Sequence, residues 1–190
     1  MQPHTVIPVG LVSWNPAVAC IPTVTTIEQI IGSVLSINGG ADQSGGAFAQ
    51  IPDKRSITPP CSGLWNGQTR PTFVEIHGVR IQSFINSDAC NGFCDESFNL
   101  ESLSVFPEPQ AYLHRIHCEI DCNWQFNNIA PPLFDPLRPS CGVTALESSK
   151  IGTLLDVQGF VYWDPGHLID SWHSFSGWEL HPLTAWRLAV

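Results

Sequence analysis

The sequence has few charged residues and almost no lysine. Only 13% of its 190 residues are charged, against about 25% in an average soluble domain, and lysine occurs only at Lys54 and Lys150. Eight basic residues against 17 acidic ones give a net charge of −9. We therefore expect no nucleic-acid partner, because phosphate binding needs a basic surface. The scarcity of charge favours extensive β structure, or surface that is buried in an assembly.

The chain also lacks long apolar runs and the common catalytic signatures. No stretch approaches the ~18 apolar residues of a transmembrane helix, so we expect no transmembrane segment. The start, MQPHTVIPVG, has neither the basic segment nor the apolar run of a signal peptide, so an exported protein would be the mature form. The GxSxG, HExxH, P-loop and GxGxxG patterns are absent, which removes the usual sequence evidence for hydrolases, proteases and nucleotide-binding proteins.

Cysteine, by contrast, is abundant, and the spacing of the cysteines matches no zinc finger. We interpret them as disulfide candidates of an oxidising, extracellular or cell-surface compartment, with buried free thiols as the alternative. Cys118 and Cys122 lie about 13 Å apart on one predicted strand, too far to bond to each other. We expect at least two disulfides and a partner elsewhere for each of these two. The seven cysteines are Cys20, Cys61, Cys90, Cys94, Cys118, Cys122 and Cys141.

The first third of the chain predicts an extended arm, one helix and a long loop. Prolines interrupt the apolar runs of residues 1–24, which favours extended structure. In TTIEQIIGSVLSINGG, Thr25 and Glu28 have capping-box spacing and the apolar residues follow a helical period, which predicts a helix near 26–37 with Ile30, Ile31 and Val34 buried. A Gly-, Ser- and Pro-rich region then runs from 38 to 71. We divide the chain into 1–71 and a β domain, 72–190.

The β domain shows about five strand patterns. Period-two segments cover residues 73–84, 101–109, 111–124, 152–164 and 177–189. Gly78 and Gly159 lie inside strands and allow the sharp bends of a small barrel. The segment from GTLLDVQGFVYWD to HSFSGWELHPLTAW resembles the closing hairpin of small extracellular OB-like domains, with a V-x-G-x-V-x-W/Y-D strand, a Gly-Trp pair, an acidic residue and His-Pro. The resemblance implies a mainly β, five-stranded, partly open OB-like barrel.

The strand AYLHRIHCEIDCNW alternates apolar and polar residues. One face carries Cys118 and Cys122, and the other carries His117, Glu119 and Asp121 in alternation. Imidazole and carboxylate are common ligands of divalent metals and common acid–base groups. A solvated outer face is the simpler interpretation of this row, and we favour it.

The strand GWELHPLTAW supplies a possible partner for that row. Trp178 and Trp186 fall on one face and predict closure of the barrel core, while Glu179 and His181 fall on the other. If this strand neighbours the 111–124 strand, His117, Glu119, Glu179 and His181 converge. We favour a structural role in fixing register over a metal site, and expect no cofactor, with a divalent metal as the alternative.

The sequence is compatible with three functions. The first is a non-catalytic extracellular structural protein that self-associates through its N-terminal arm, by strand addition to another copy. The second is a secreted module that binds a ligand such as a glycan through an aromatic loop, and the third is a metal-dependent hydrolase using the His/carboxylate cluster. We favour the first. The candidate binding loop comprises Trp163, His167, Trp172, His173 and Phe175.

Overall fold

The computed structural model describes residues 12–15, 18–50, 60–85, 95–121 and 151–189. It contains eight strands and one α-helix within these ranges. The strands are β1 (Thr23–Thr25), β2 (Ser62–Trp65), β3 (Gln68–Pro71), β4 (Phe73–Ile85), β5 (Asp95–Glu101), β6 (Arg115–Asp121), β7 (Leu154–Trp163) and β8 (Trp178–Leu188), and the helix is α1 (Ile27–Ile31).

Five of the strands close into a barrel. Around the barrel the order is β4, β5, β6, β8 and β7, and β7 pairs back with β4. All neighbours are antiparallel except β6 and β8, which run parallel. Closure removes the exposed edges that an open sheet would present. The predicted mainly β fold with a small OB-like barrel is confirmed.

Two glycines bend the barrel strands where the sequence predicted bends. Gly78 has a φ of 61°, and the pairing of β4 with β7 shifts between Ile76 and Val79. The pairing of β7 with β8 shifts on both sides of Gly159. A Cβ at Gly159 would lie only 3.1 Å from the Pro182 carbonyl oxygen. Both positions therefore need glycine, the first for its backbone angle and the second for close strand approach.

The helix is shorter than predicted. Its N-cap is Thr26 rather than Thr25, and the capping box is completed by Gln29 rather than Glu28. It ends at Gly32, whose φ is 75° and where a Cβ would lie 2.1 Å from the Gly45 carbonyl oxygen. Ile30 and Ile31 are fully buried as predicted. Val34 lies beyond the helix and is exposed, so its predicted burial is wrong, because the chain leaves the helical period at Gly32.

The region predicted as loop from 38 to 71 contains the hairpin of β2 and β3. Its turn is Asn66-Gly67, with φ values of 51° and 74°, and an Asn-Gly pair between strand-forming residues is a strong hairpin signal. The strand predicted at 101–109 is also displaced. It lies at 95–101 as β5, and Pro107 and Pro109 belong to the connection that follows.

The disulfide prediction is confirmed for one pair. Cys20 is bonded to Cys61, which ties the arm to the start of the β2–β3 hairpin. Cys118 is a buried free thiol, so it is not bonded to Cys122, but the expected partner elsewhere is wrong because Cys118 packs in the apolar core. Cys90, Cys94, Cys122 and Cys141 lie outside the described residues, and a second disulfide stays a prediction.

The barrel core is closed by tryptophans, as the C-terminal strand predicted. Trp178 and Trp186 are each only 1% exposed. Trp163 packs edge-on against Trp178 with ring centroids 5.1 Å apart, and a Cβ at Gly46 would lie 1.9 Å from the Trp178 ring. The segment before β2 therefore covers one face of β8. Among the described residues, no helix is long and apolar enough to cross a membrane. The domain division at residue 71 stays a prediction.

Candidate functional site

The candidate site lies where β6 and β8 run side by side. His117 is in register with Glu179, and Cys118 with Leu180. Since residues two apart on a strand share a face, this pairing also brings Glu119 and His181 to the same place. The strand adjacency that the sequence suggested is present, and the four side chains meet.

A fifth side chain comes from the connection between β7 and β8. His173 belongs to a 3₁₀ turn, Ser171–His173, and its Nε2 lies 3.1 Å from Glu179 Oε2. The prediction that His173 belongs to an exposed binding loop is wrong, because the residue is buried. The path of a connection cannot be inferred from a strand period, and no sequence signal links His173 to Glu179.

The five side chains form a closed circuit of contacts, which we call the His/Glu ring: His117, Glu119, His181, Glu179 and His173. His117 Nε2 lies 3.3 Å from Glu119 Oε1, and Glu119 Oε2 is in direct contact with His181 Nδ1. His181 Nδ1 also lies 3.3 Å from Glu179 Oε1. The circuit closes between the imidazoles of His117 and His173, whose centroids are 4.2 Å apart.

The His/Glu ring is sealed from solvent. Its three histidine side chains and Glu179 are 0% exposed, and the side chain of Glu119 is 10% exposed. The expectation of a solvated outer face on β6 is therefore wrong. The connection between β7 and β8 covers this face, and the Trp172 ring packs edge-on against His117 at 5.2 Å. Asp121, the third predicted member of the row, has no described side chain.

The protonation states of the side chains in the His/Glu ring depend on two opposing effects, burial and ion pairing. Burial alone would lower the pKa of His181, but contacts with Glu119 and Glu179 outweigh burial and raise that pKa to about 10. Burial would raise the pKa of Glu179, yet His173 and His181 hold that pKa at about 2. The pKa of Glu119 is likewise held far below its usual value, by His117 and His181 against the effect of burial. Without a bound ion, His181 is therefore a cation between two anions.

The pKa of His117 moves in the opposite direction. Burial lowers it, and the neighbouring His173 lowers it further, while Glu119 opposes the shift. Burial therefore favours the neutral imidazole of His117. The adjacent Cys118 thiol also has a pKa raised by burial, so it is an inert core side chain and not a nucleophile.

The aromatic connection is only partly exposed. Trp163 is buried, against the expectation of a binding residue, because it packs on Trp178 in the core. Phe175 packs against Tyr112 with centroids 5.1 Å apart, and His167 contacts the Asp170 carboxylate at 2.9 Å. Trp172 is 36% exposed and is the member of the predicted binding loop with a large accessible aromatic surface.

Beside Trp172 lies a surface cavity of about 370 Å³. Amide, hydroxyl and guanidinium groups face it, and it is separated from the His/Glu ring by Asn99, which lines the cavity and contacts His117 at 2.9 Å. The lining residues are Gln82, Ser83, Ile85, Asn99, Glu108, Tyr112, Arg115, Ser171, Trp172 and Ser174. The polar lining and the two aromatic residues, Tyr112 and Trp172, suit a hydrophilic ligand.

The chemistry available to the His/Glu ring is metal ligation or proton storage. Two sets of three potential ligands have their donor atoms within 4.8 Å of one another, and Glu179 belongs to both. The first set is His117, His173 and Glu179, and the second is Glu119, Glu179 and His181.

No known protein family matches the chain, and no curated protein shows significant similarity to it.

Proposed function

We propose that this protein is a non-catalytic structural protein of the cell exterior, which associates with other copies of itself. The observation that carries this proposal is the enclosure of the His/Glu ring. A hydrolytic metal centre keeps a ligand position open to water and substrate, whereas the side chains of the ring are at most 10% exposed. The ring therefore serves the barrel itself, at the parallel pairing of β6 with β8.

An exported location is supported by the cysteines. The Cys20–Cys61 disulfide links segments 41 residues apart in sequence, and a disulfide of this kind persists in oxidising compartments. Seven cysteines in one chain are further support. The same disulfide ties the arm to the start of the β2–β3 hairpin, so that the arm presents a fixed surface.

Self-association is supported by the outer edge of β1. β1 pairs with β4 on one side and is the terminal strand of its sheet in the described structure. Beside this edge, Ile21 is 76% exposed and Val24 is 48% exposed. An open strand edge with exposed apolar side chains is the usual acceptor for strand addition. The described arm residues before it, such as Trp14 and Asn15, bond to β7 and β8 of their own chain, so the proposed contact lies at β1.

The double variant Ile21→Lys, Val24→Lys tests this contact. We expect it to reduce the assembly to monomers, because charged side chains on an edge strand block pairing with another chain. Both side chains are exposed, so the fold should be retained. The measurement is the molar mass by multi-angle light scattering over a range of concentrations.

The matched control is Ile151→Lys. Ile151 is also exposed, but the next residue, Gly152, donates to the Ile81 carbonyl, five residues farther along β4 than the last β1 pairing at Ile76. It should assemble as the unaltered protein does. A monomeric unaltered protein, or equal assembly of all three proteins, would contradict self-association through β1.

A second candidate function, binding of a glycan, is supported by the cavity beside Trp172. Sugars bind through aromatic platforms and planar polar groups, and here Trp172 and Gln82 supply them. The side chain of Trp172 is free to stack on a ligand over the exposed part of its ring. This candidate does not compete with assembly, since the cavity is lined by residues 82–85 of β4, beyond residues 74–76 that pair with β1.

Pull-down on insoluble chitin, cellulose and peptidoglycan tests the glycan candidate. Trp172→Ala should weaken the binding of a retained polysaccharide by about fivefold or more, since loss of a central aromatic contact costs above ~1 kcal/mol. Trp14→Ala is the control, because Trp14 stacks under Arg187 at 4.1 Å and does not line the cavity. Equal retention of both variants would rule out the cavity as the binding site.

A further inference from the structure

The hydrogen bonds of His117 fix which of its nitrogens carries the proton. Nδ1 lies 2.9 Å from Asn99 Oδ1. The orientation of this amide is fixed by its other end, where Nδ2 donates to the Trp172 carbonyl at 2.7 Å and to Ser83 Oγ at 3.0 Å. Since Asn99 presents an acceptor, His117 Nδ1 is the donor. In the neutral ring, Nε2 then carries a lone pair.

His173 repeats this arrangement. Its Nδ1 is in direct contact with the Ser176 carbonyl oxygen, which is an acceptor, so Nδ1 is again the donor and Nε2 carries the lone pair. Ligating histidines in metal sites are oriented in this way, with the outer N–H donated to a carbonyl or carboxylate oxygen. Two histidines from different elements therefore present Nε2 towards the same interior point.

These two Nε2 atoms face carboxylate oxygens. His117 Nε2 lies 3.3 Å from Glu119 Oε1, and His173 Nε2 lies 3.1 Å from Glu179 Oε2. A lone pair facing a carboxylate is repulsive unless a proton or a cation lies between them. Protons would make both rings cationic in a closed space, next to His181. A cation that accepts electron pairs from nitrogen and oxygen removes this repulsion, and the donor atoms of His117, His173 and Glu179 lie within 4.8 Å of one another.

His181 gives independent support. Both of its ring nitrogens are buried, and neither makes a hydrogen bond of ordinary geometry with a described residue. Nδ1 points to the two carboxylates, while Nε2 has no partner in the described part of the chain. As an imidazolium, His181 balances one of the two neighbouring carboxylate charges, and its Nε2–H has no acceptor in the described part of the chain. A divalent ion beside the carboxylates supplies the charge that His181 alone does not.

We propose that His117 Nε2, His173 Nε2 and the carboxylate of Glu179 bind one divalent transition-metal ion of the zinc class, with the Glu119 carboxylate beside it. Bonds of about 2.0–2.1 Å place tetrahedral ligands about 3.4 Å apart, close to the 3.1 Å that separates His173 Nε2 from Glu179 Oε2. The two positive charges of the ion balance the two carboxylates. His181 holds the carboxylates in place from the opposite side.

The ion would act as a structural ion. The remaining ligand position is enclosed by the His/Glu ring, whose side chains are at most 10% exposed, and is not open to substrate. β6 supplies His117, β8 supplies Glu179 and the preceding connection supplies His173, so the ion joins β6 to β8, where two residue pairs are in register. This site does not depend on self-association, and its test leaves the β1 edge unaltered.

Metal titration of untagged protein tests the proposal. After treatment with a strong chelator, Zn²⁺ should bind at one equivalent per chain and raise the melting temperature. At a free concentration 100 times Kd the rise should be about 5–10 °C. Co²⁺ in the same site should give the intense visible absorption of a four-coordinate N/O complex. A protein that retains no metal and whose melting temperature does not respond to Zn²⁺, Co²⁺ or Mn²⁺ would overturn the proposal.

The variant His173→Gln, with His77→Gln as its control, locates the ion. His77 also contacts two carboxylates, Glu75 at 2.7 Å and Asp156 at 3.3 Å, but it is largely exposed. His173→Gln should lose the bound equivalent and the visible Co²⁺ bands, and His77→Gln should keep both. If His173→Gln does not fold, the Zn²⁺ stoichiometry and Co²⁺ spectrum of the unaltered protein decide. Retention of one equivalent by folded His173→Gln, or its loss in His77→Gln, would contradict the assignment.

Discussion

Replacing Glu179 by glutamine is expected to lower the free energy of unfolding by about 3–5 kcal/mol, the cost of removing one partner from a buried ionic group. Glu179 is completely buried and contacts both His173 and His181. Glutamine keeps the volume but removes the charge, so His181 loses one of its two carboxylates. For a chain of this length the melting temperature should fall by about 6–20 °C, measured by circular dichroism.

The control for this prediction is Glu101→Gln. Glu101 pairs with Arg80 at 2.9 Å and with Arg115 at 3.3 Å, but these are partly exposed pairs. Such pairs contribute about 0–1 kcal/mol, so the melting temperature should change by no more than a few degrees. Similar decreases in melting temperature in the two variants would show that enclosure of the His/Glu ring does not increase its contribution to stability.

Ile31→Asp is expected to prevent folding, at a cost above about 4 kcal/mol, because it places an unpaired charge in the apolar core. Ile31 is the last residue of α1 and is 0% exposed. A carboxylate there would have to lose its hydration without a cation in reach. Loss of the cooperative melting transition, or failure to obtain soluble protein, is the expected result.

Val34→Asp is the matched control for this second prediction. It lies three residues beyond Ile31, on the same predicted helical face, but is 44% exposed. Its free energy of unfolding should change by no more than about 0.5 kcal/mol. A soluble Ile31→Asp protein with unchanged stability would disprove the burial of this face, and unfolding of Val34→Asp would disprove the end of the helix at Gly32.

The sequence predicted those barrel strands in which apolar and polar residues alternate with the period of a strand. The alternation around Gly78 predicted β4 and its bend, and the two tryptophans of GWELHPLTAW predicted the closing strand. The end of α1 was missed, because the close approach of Gly45 to Gly32 is a tertiary contact. The β2–β3 hairpin was missed although Asn66-Gly67 signalled it, since the glycine and serine around it suggested a loop.

The sequence predicted only the part of the candidate site that follows from the pairing of two strands. His117 and Glu119 share a face of β6, and Glu179 and His181 share a face of β8, so adjacency of the strands brings them together. Their burial could not be inferred, because alternation of polar and apolar residues normally indicates one solvated face. Here Trp172 and His173 cover that face, and the fold of their connection depends on contacts distant in sequence.

Histidine modification by diethyl pyrocarbonate, mapped by peptide mass spectrometry, tests most directly whether the His/Glu ring is a sealed structural feature. His77, with 45% of its side chain exposed, should react in the folded protein. His117, His173 and His181 should remain unmodified until denaturant unfolds the barrel. Modification of these three residues in the folded protein at the rate of His77 would show that the site is open to solvent, which would contradict a non-catalytic role.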